Sequence, residues 1–175
     1  AYVSVSRSNA IVVYDVATRT PVRVLLVGGN PRALAVSPDR SRVYAAFALS
    51  GNASTVIRAD LAPPPEPPTN PSLPPAPRVA KIVDARDPAW GSIVTHRMPD
   101  NDVVVIAAEP FPTVAQYVSG VGTVNLGLAV NPANGDVYVA ESHTDVRDPN
   151  LVARISVFDR QGKFLRTIGK TGTGP

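Results

Sequence analysis

A short strand-like segment with a single tyrosine occurs three times along this chain and restricts the folds that it can adopt. The tyrosines are Tyr2, Tyr44 and Tyr138, the first two 42 residues apart and the last two 94 residues apart. A second segment, LAVSPD from Leu34, recurs as LAVNPA from Leu128, again after 94 residues. Two segments that recur together predict a repeated supersecondary unit.

Further segments complete a four-stranded unit. Strand A is the Leu-Ala-Val run, strand B contains the tyrosine, and strand C is a Val/Ile run such as Ile11–Asp15. Strand D follows a second turn, as in Val22–Val27. Pro38-Asp39 and Asn134-Gly135 are hairpin signals between strands A and B. Four short strands every roughly 40 to 45 residues predict an all-β chain of antiparallel β-propeller blades.

Composition agrees with a turn-rich β fold and excludes several functions. The chain has 19 prolines and 12 glycines in 175 residues, too many for a helical protein. It has no cysteine, which excludes disulfides, thiolate nucleophiles, Cys-ligated zinc and haem attached through this segment. The net charge of +3 is scattered without a basic stripe, so we expect no nucleic-acid partner. No apolar run is long enough to span a bilayer, so we expect no membrane span.

The longer spacing between the second and third tyrosines indicates an insertion, residues 53–100, in one B–C loop. Removing it leaves a unit close in length to its neighbour; a degenerate extra blade is the alternative. Segments 55–58 and 79–83 are strand-like and could pair as a hairpin. Five prolines between them follow the three-residue period of polyproline II, namely Pro65, Pro68, Pro71, Pro74 and Pro77. This pattern favours a stiff spacer, with a docking ligand for an aromatic groove as the alternative.

Several segments resemble known repeat families. The stretch from Tyr2 to Tyr44, with NAIVVYD, VGGNP and AVSPD, resembles the bacterial YVTN-type β-propeller repeat. Residues 154–159 (RISVFD) and 162–169 (GKFLRTIG) are similar to NHL repeats. The proline-rich insertion resembles those of large secreted bacterial YVTN proteins, some of which carry c-type cytochrome domains elsewhere. The resemblance implies a bacterial, extracytoplasmic location (secreted, periplasmic or at the cell surface) and no specific activity.

These observations predict about two and three-quarter blades, which is an incomplete ring. Because such a piece leaves sheet edges bare, we expect a fragment of a larger propeller, with the remaining blades as partners, or a piece that self-associates. The predicted segments are 1–27 (strands B, C and D of one blade), 33–118 (a blade with the insertion 53–100), 126–168 (a further blade) and 169–175 (a link to the next blade).

The predicted binding face is the one with the long loops. In a propeller, the D–A and B–C loops emerge on one face and the A–B and C–D turns on the other. The long polar connections of this chain all belong to the first group, and long loops on a rigid scaffold are the usual place for binding. The candidate residues for binding a ligand or partner are Asn30, Arg32, Asn52, Asn125, Glu141, His143 and Arg147.

The segment 141–150 has the densest set of oxygen ligands. Glu141, Asp145 and Asp148 are candidate ligands for Ca²⁺, the one cofactor that the sequence suggests. They lack the register of an EF-hand loop, and a solvated acidic loop whose aspartates cap turns is the alternative. A hydrolytic pairing of His143 with a neighbour two residues away does not make a triad, so no catalytic residue is predicted.

The predicted function is a non-catalytic extracytoplasmic binding or scaffold module that presents its loops to a protein or small-molecule ligand. Two alternatives stay open: part of a propeller enzyme of the metal-dependent lyase or lactonase type, and the propeller portion of a cytochrome-bearing redox protein. The predicted A strands, Arg32–Val36 and Leu126–Val130, have no ionisable group beyond Arg32, which counts against catalysis from this part.

Overall fold

The computed structural model describes residues 1–51, 54–62, 70–72, 74, 80–94, 99–122, 124–141 and 154–169. Within these ranges the predicted all-β character is confirmed, and helix is limited to one-turn 3₁₀ segments at Ser6–Ser8, Ala59–Leu61 and Pro88–Trp90. The strands are β1 (Tyr2–Val5), β2 (Ala10–Asp15), β3 (Thr20–Leu26), β4 (Pro31–Val36), β5 (Arg42–Phe47), β6 (Ser54–Arg58), β7 (Ala80–Asp84), β8 (Val103–Ala107), β9 (Thr113–Val118), β10 (Asn125–Val130), β11 (Val137–Glu141), β12 (Arg154–Phe158) and β13 (Phe164–Ile168).

The strands form four antiparallel sheets. Sheet 1 has the order β1-β2-β3, sheet 2 the order β4-β5-β8-β9, and sheet 3 the order β10-β11-β12-β13. The fourth is a hairpin of β6 and β7, which pairs the two segments expected to do so. Residues 1–52 and 99–175 make one compact unit with sheets 1–3, and residues 53–98 make a second unit with the hairpin.

Sheets 1–3 share one register. Tyr2 lies opposite Val13, Tyr44 opposite Val105, and Tyr138 opposite Val157. The three tyrosines therefore occupy the same position of three sheets. Residues that hold the same place in this register are called equivalent below.

The core of the first unit consists of two apolar layers, one on each side of sheet 2. Strand β5 is buried along most of its length because its alternate side chains enter different layers. Val43, Ala45 and Phe47 pack with side chains of sheet 1, whereas Tyr44 and Ala46 pack with side chains of sheet 3. Strand β8 divides in the same way, which explains why both strands are continuous apolar runs.

Aspartates at the ends of strands close several of the turns. Asp15 Oδ1 accepts the N–H of Ala17 at 2.8 Å, and Asp159 Oδ1 accepts the N–H groups of Gln161 and Lys163 at 2.9 Å. A side-chain acceptor at this place satisfies turn amides that the ladder leaves unpaired, which fixes the hairpin.

Two predictions fall largely or wholly outside the described residues. Of the five prolines at three-residue spacing, the structure describes Pro71 and Pro74, so the polyproline rod stays a prediction. The predicted link at 169–175 is described only at its first residue. In the described ranges, no helix has the length and apolarity needed to cross a membrane.

Candidate functional site

Sheets 1–3 have a loop end and a turn end. The loop end has the connections β1–β2, β3–β4, β5–β8, β9–β10 and β11–β12. The turn end has the connections β2–β3, β4–β5, β8–β9, β10–β11 and β12–β13. Of the predicted binding residues, Asn30, Arg32, Asn125 and Glu141 lie at the loop end. The others are outside the described residues, so their roles stay predictions: Asn52, His143, Asp145, Arg147 and Asp148.

Asn30 and Arg32 contact sheet 1 through their backbones. Asn30 has a left-handed φ of 57°, its N–H donates to Asn9 Oδ1 at 3.0 Å, and its carbonyl accepts the N–H of Ala48. The carbonyl of Arg32 accepts the Ser4 hydroxyl at 3.1 Å, while its side chain is exposed. Arg32 therefore places a cation on the surface of the loop end.

Glu141 is buried and paired. Its carboxylate forms an ion pair with Arg154 and accepts the Ser156 hydroxyl at 3.1 Å. It lies against Gly122, where an added Cβ would stand 2.9 Å from Glu141 Cβ. Because Arg154 balances its charge, Glu141 has little charge to offer a metal ion. In the described ranges, no three His, Cys, Asp or Glu side chains converge as a metal site.

Asn125 and Asp102 form a second buried polar pair at the loop end, and both are fully buried. Asp102 Oδ2 accepts the N–H of Val121 at 2.7 Å, and Asp102 Oδ1 accepts Asn125 Nδ2 at 3.4 Å. Burial raises the pKa of Asp102, although hydrogen bonds from Ser50, Val121 and Asn125 oppose that change.

The register shows that Asp102 of sheet 2 and the Glu141–Arg154 pair of sheet 3 occupy the same position in their sheets. Where the second and third strands of a four-stranded sheet meet at the loop end, sheet 3 has Glu141 opposite Arg154, and sheet 2 has Phe47 bonded to Asp102. Sheet 1 has Val5 opposite Ala10 there. This position is therefore apolar in sheet 1, has one acidic residue in sheet 2 and has a complete ion pair in sheet 3.

The turn end carries a cleft of about 170 Å³ between the turns of sheets 2 and 3. Asp39 lines it and accepts the Ser37 hydroxyl at 2.6 Å and both the N–H and hydroxyl of Ser41. These hydrogen bonds lower the pKa of Asp39 to about 2. Tyr44 lines the cleft as well, and burial raises the pKa of its hydroxyl.

Sequence reasoning missed Asp102, Arg154 and Ser156, and it placed no site at the turn end. Asp102 lies in the run Pro99-Asp100-Asn101-Asp102, whose composition is typical of an exposed turn. The signal that was available is the repeat: Asp102 directly precedes β8 and Arg154 is the first residue of the equivalent strand β12, so the two residues hold equivalent positions.

Comparison with known proteins gives structural likeness alone. No family model matches the chain, and no curated protein matches it. One similar solved structure is Kuenenia stuttgartiensis hydrazine synthase, with 17% identity and a TM-score of 0.55, covering 99% of this chain and 33% of that one. Another, a functionally unknown protein from Desulfotomaculum acetoxidans, has 11% identity and a TM-score of 0.57, covering 98% of this chain and 37% of that one. The chain thus spans about a third of the length of these structures, and the likeness concerns the β-rich fold.

Proposed function

We propose that sheets 1–3 are consecutive blades of a YVTN-like β-propeller and that this part of the protein is a non-catalytic binding scaffold outside the bacterial cytoplasm. The antiparallel strand order of the sheets and their stacking support the first part. So does the fold likeness to hydrazine synthase, which has propeller domains. The observation that carries the proposal is that sheet 3 repeats on its outer side the surface that sheet 2 uses to bind sheet 3.

The part of that outer side that is not buried, the open face, consists of Tyr138, Ala140, Ile155, Arg166 and Ile168. Ile155 is equivalent to Val103, and Ile168 is equivalent to Val118. The exposed fractions are 36% for Ile155 against 2% for Val103, and 43% for Ile168 against 8% for Val118. At these two positions the residue is covered in sheet 2 and is apolar and uncovered in sheet 3, which is typical of an interaction surface.

Polar groups on the open face repeat as well. In sheet 2, Tyr44 Oη donates to the carbonyl of Arg160 at 3.3 Å, and Gln116 Nε2 donates to that of Gln161 at 2.6 Å. Both acceptors lie in the β12–β13 turn of sheet 3. Tyr138 is equivalent to Tyr44, and Arg166 is equivalent to Gln116, so the open face offers two donors to the same turn of a further sheet.

The position of Gly162, in the β12–β13 turn, restricts which sheet can pack on the open face. Gly162 has a φ of 84°, and a Cβ there would lie 2.8 Å from Gln116 Nε2 and 2.9 Å from Val118 Cγ2. The equivalent residue of sheet 1 is Arg19, at φ 57°. Sheet 1 of a second copy would therefore bring Arg19 against Arg166 and Ile168, which disfavours self-association in this mode. The open face fits a sheet with glycine at this turn, such as another blade of the type of sheet 3.

Adding a further sheet tests the blade proposal. A second copy of residues 125–175 fused after Pro175 is expected to slow amide hydrogen exchange in β12 and β13 and to raise the midpoint of thermal unfolding. Ile168→Asp in the original copy should abolish both gains, whereas Val24→Asp, on the outer side of sheet 1, should leave them unchanged. A fusion that folds without protecting β12 and β13, or a gain that I168D leaves intact, would contradict the proposal.

The loop end is the proposed binding surface because the two long connections, 53–98 within β5–β8 and 142–153 within β11–β12, both leave the sheets there. A photo-crosslinking amino acid in place of Arg32 tests this in cells that produce the parent protein. Replacement of Arg19, at the turn end, is the matched control. Adducts are expected from position 32 alone, and adducts confined to position 19 would place binding at the other end. Fractionation of the same cells tests the extracytoplasmic location.

A further inference from the structure

The cleft at the turn end, between residues 38–41 of sheet 2 and residues 132–135 of sheet 3, contains three charged side chains. They are Asp39, Arg42 and Arg160. Hydrogen bonds lower the pKa of Asp39 to about 2, so this carboxyl is ionised at neutral pH. Among the described residues, neither guanidinium group forms an ion pair. Two cations and one anion thus share a cleft of about 170 Å³.

The hydrogen-bonding capacity of these groups is only partly used. Asp39 accepts bonds from Ser37 and Ser41 through Oδ1 alone, and Arg42 Nη1 donates to the carbonyl of Arg160. In the described part of the chain, Asp39 Oδ2 and the Arg160 guanidinium have no hydrogen-bond partner. After the hydrogen bonds, the charge of Arg160 also lowers the pKa of Asp39, so the two unused groups lie near each other.

These charges are not required by the repeat. The residues of sheet 3 that are equivalent to Asp39 and Arg42 are Ala133 and Asp136. The turn of sheet 3 closes without an acid at the first of these positions, because Asn131 Oδ1 accepts the N–H of Ala133 at 2.9 Å. The charged set is therefore a property of the cleft between sheets 2 and 3 and not of the hairpin as such.

The charges and the walls define which ligand would fit. Guanidinium groups bind carboxylates through parallel N–H donors, and a carboxylate oxygen such as Asp39 Oδ2 accepts strong hydrogen bonds from an ammonium group. A dianion such as phosphate is less suitable, because Asp39 would repel it. The cleft is smaller than the about 300–1,000 Å³ of sites for drug-sized ligands. The apolar part of its lining is Pro38, Pro132 and Ala133.

We infer that the turn-end cleft binds a small α-amino acid, with the carboxylate on Arg42 and Arg160 and the ammonium group on Asp39. Charge complementarity supports this class, because the ligand carries one group of each sign on neighbouring atoms, as the cleft does. The site lies at the opposite end of the sheets from the predicted binding residues, and it does not depend on the proposed function.

Titration of the full chain with L-alanine tests the inference. At pH 7.5 and constant ionic strength, the amide signals of residues 39–42, 133–135 and 160 are expected to shift together, with a dissociation constant of about 1–10 mM. Propionate, which lacks the ammonium group, and ethylamine, which lacks the carboxylate, should each bind at least tenfold more weakly. If alanine causes no saturable shift below about 100 mM, or if propionate binds as tightly as alanine, the inference is wrong.

Arg160→Gln removes a charge from the cleft and keeps the backbone carbonyl that Arg42 and Tyr44 use, so it should weaken alanine binding at least tenfold. Arg40→Gln is the matched control, since Arg40 is an exposed arginine of the neighbouring turn that does not line the cleft. Equal affinities of R160Q and R40Q would overturn the site. Asp39→Asn should remove the preference for alanine over propionate, and an unchanged preference would contradict the contact with the ammonium group.

Discussion

Asp39 shows how a single side chain can fix a hairpin. One of its carboxylate oxygens, Oδ1, accepts hydrogen bonds from Ser37 and from two groups of Ser41, which lowers its pKa from 3.8 to about 2. We predict that Ser37→Ala raises the pKa of Asp39 towards its ordinary value, because the largest of these contributions is lost. Carboxyl NMR titration measures it, with Thr18→Ala, in the β2–β3 turn, as the control. A pKa that stays near 2 in S37A would assign the shift to other groups.

The same acid gives stability a defined pH dependence. Because folding lowers the pKa of Asp39, its contribution is complete above the ordinary pKa of 3.8 and is lost as the pH falls towards about 2. The unfolding midpoint of Asp39→Asn should therefore depend less on pH between about 4 and 2 than that of the unchanged chain. Thermal unfolding at half-unit pH steps measures the difference. Parallel curves for the two proteins would show that the folded and unfolded pKa values are alike.

Gly122 is required by sterics rather than by backbone conformation. An added Cβ would stand 2.9 Å from Glu141 Cβ, and it would press on a carboxylate that is buried and paired. We predict that Gly122→Ala destabilises the fold by about 1–3 kcal/mol. Urea unfolding measures this change in the free energy of unfolding.

Gly127 is the matched control for that substitution. It lies in β10, and its added Cβ would meet only Ala140 Cβ at 3.6 Å, an ordinary contact. Gly127→Ala should therefore be neutral or slightly stabilising, because alanine restricts the unfolded chain more than glycine does. Equal losses in G122A and G127A would show that the contact with Glu141 does not explain the effect.

At the scale of elements, strand positions could be predicted from the sequence because the apolar runs and their turns repeat. The tyrosine segments became β1, β5 and β11, and the Leu-Ala-Val runs became β4 and β10. Local pattern is sufficient here, since period-two burial and turn residues are properties of a few neighbouring positions.

The polar contacts at the loop end could not be predicted in the same way. Asn125 and Glu141 stand at strand ends beside polar segments, where exposure is the ordinary expectation, yet both are buried. Their partners, Asp102 and Arg154, come from strand starts 23 and 13 residues away. Glu141 and Arg154 meet through strand pairing within sheet 3, whereas Asn125 and Asp102 meet through the packing of sheet 3 on sheet 2. No local sequence pattern records either contact.

Equivalent tyrosines provide an element-scale prediction. Tyr44 Oη is bonded to a carbonyl of the neighbouring sheet, whereas among the described residues Tyr138 Oη is bonded only to Arg166 of its own sheet, at 3.4 Å on the exposed side. We predict that Tyr44→Phe costs about 0.5–1.5 kcal/mol. Tyr138→Phe should stay within about 0.5 kcal/mol of the unchanged chain. Urea unfolding compares the two, and equal losses would contradict a role of Tyr44 in holding sheet 3 on sheet 2.

At the scale of the whole molecule, sheets 1–3 form a stack with different outer sides. Sheet 1 shows Val24 and Leu26 to solvent, at exposed fractions of 57% and 78%, and sheet 3 shows the open face. Within the stack each sheet covers the next through unlike sides, so addition of sheets is directional. Because of this directionality, the residues with which sheet 2 contacts sheet 3 indicate which residues of the open face would contact a further sheet.

The first compact unit, residues 1–52 and 99–175, is continuous in space across the point where the second unit is inserted. The first unit closes on itself where the second is inserted: the N–H of Gly51 donates to the carbonyl of Pro99 at 2.9 Å, and β5 pairs directly with β8. We therefore predict that replacing residues 53–98 with a four-residue Gly/Ser linker leaves sheets 1–3 folded. The free energy of unfolding should be unchanged or higher by up to about 2 kcal/mol, since a shorter loop costs less entropy to close. Urea unfolding and amide spectra measure this, with Val104→Ala in the shortened chain as a control that should still lose stability. If the amide spectrum of the shortened chain lacked the chemical-shift dispersion of a folded protein, sheets 1–3 would require the hairpin unit.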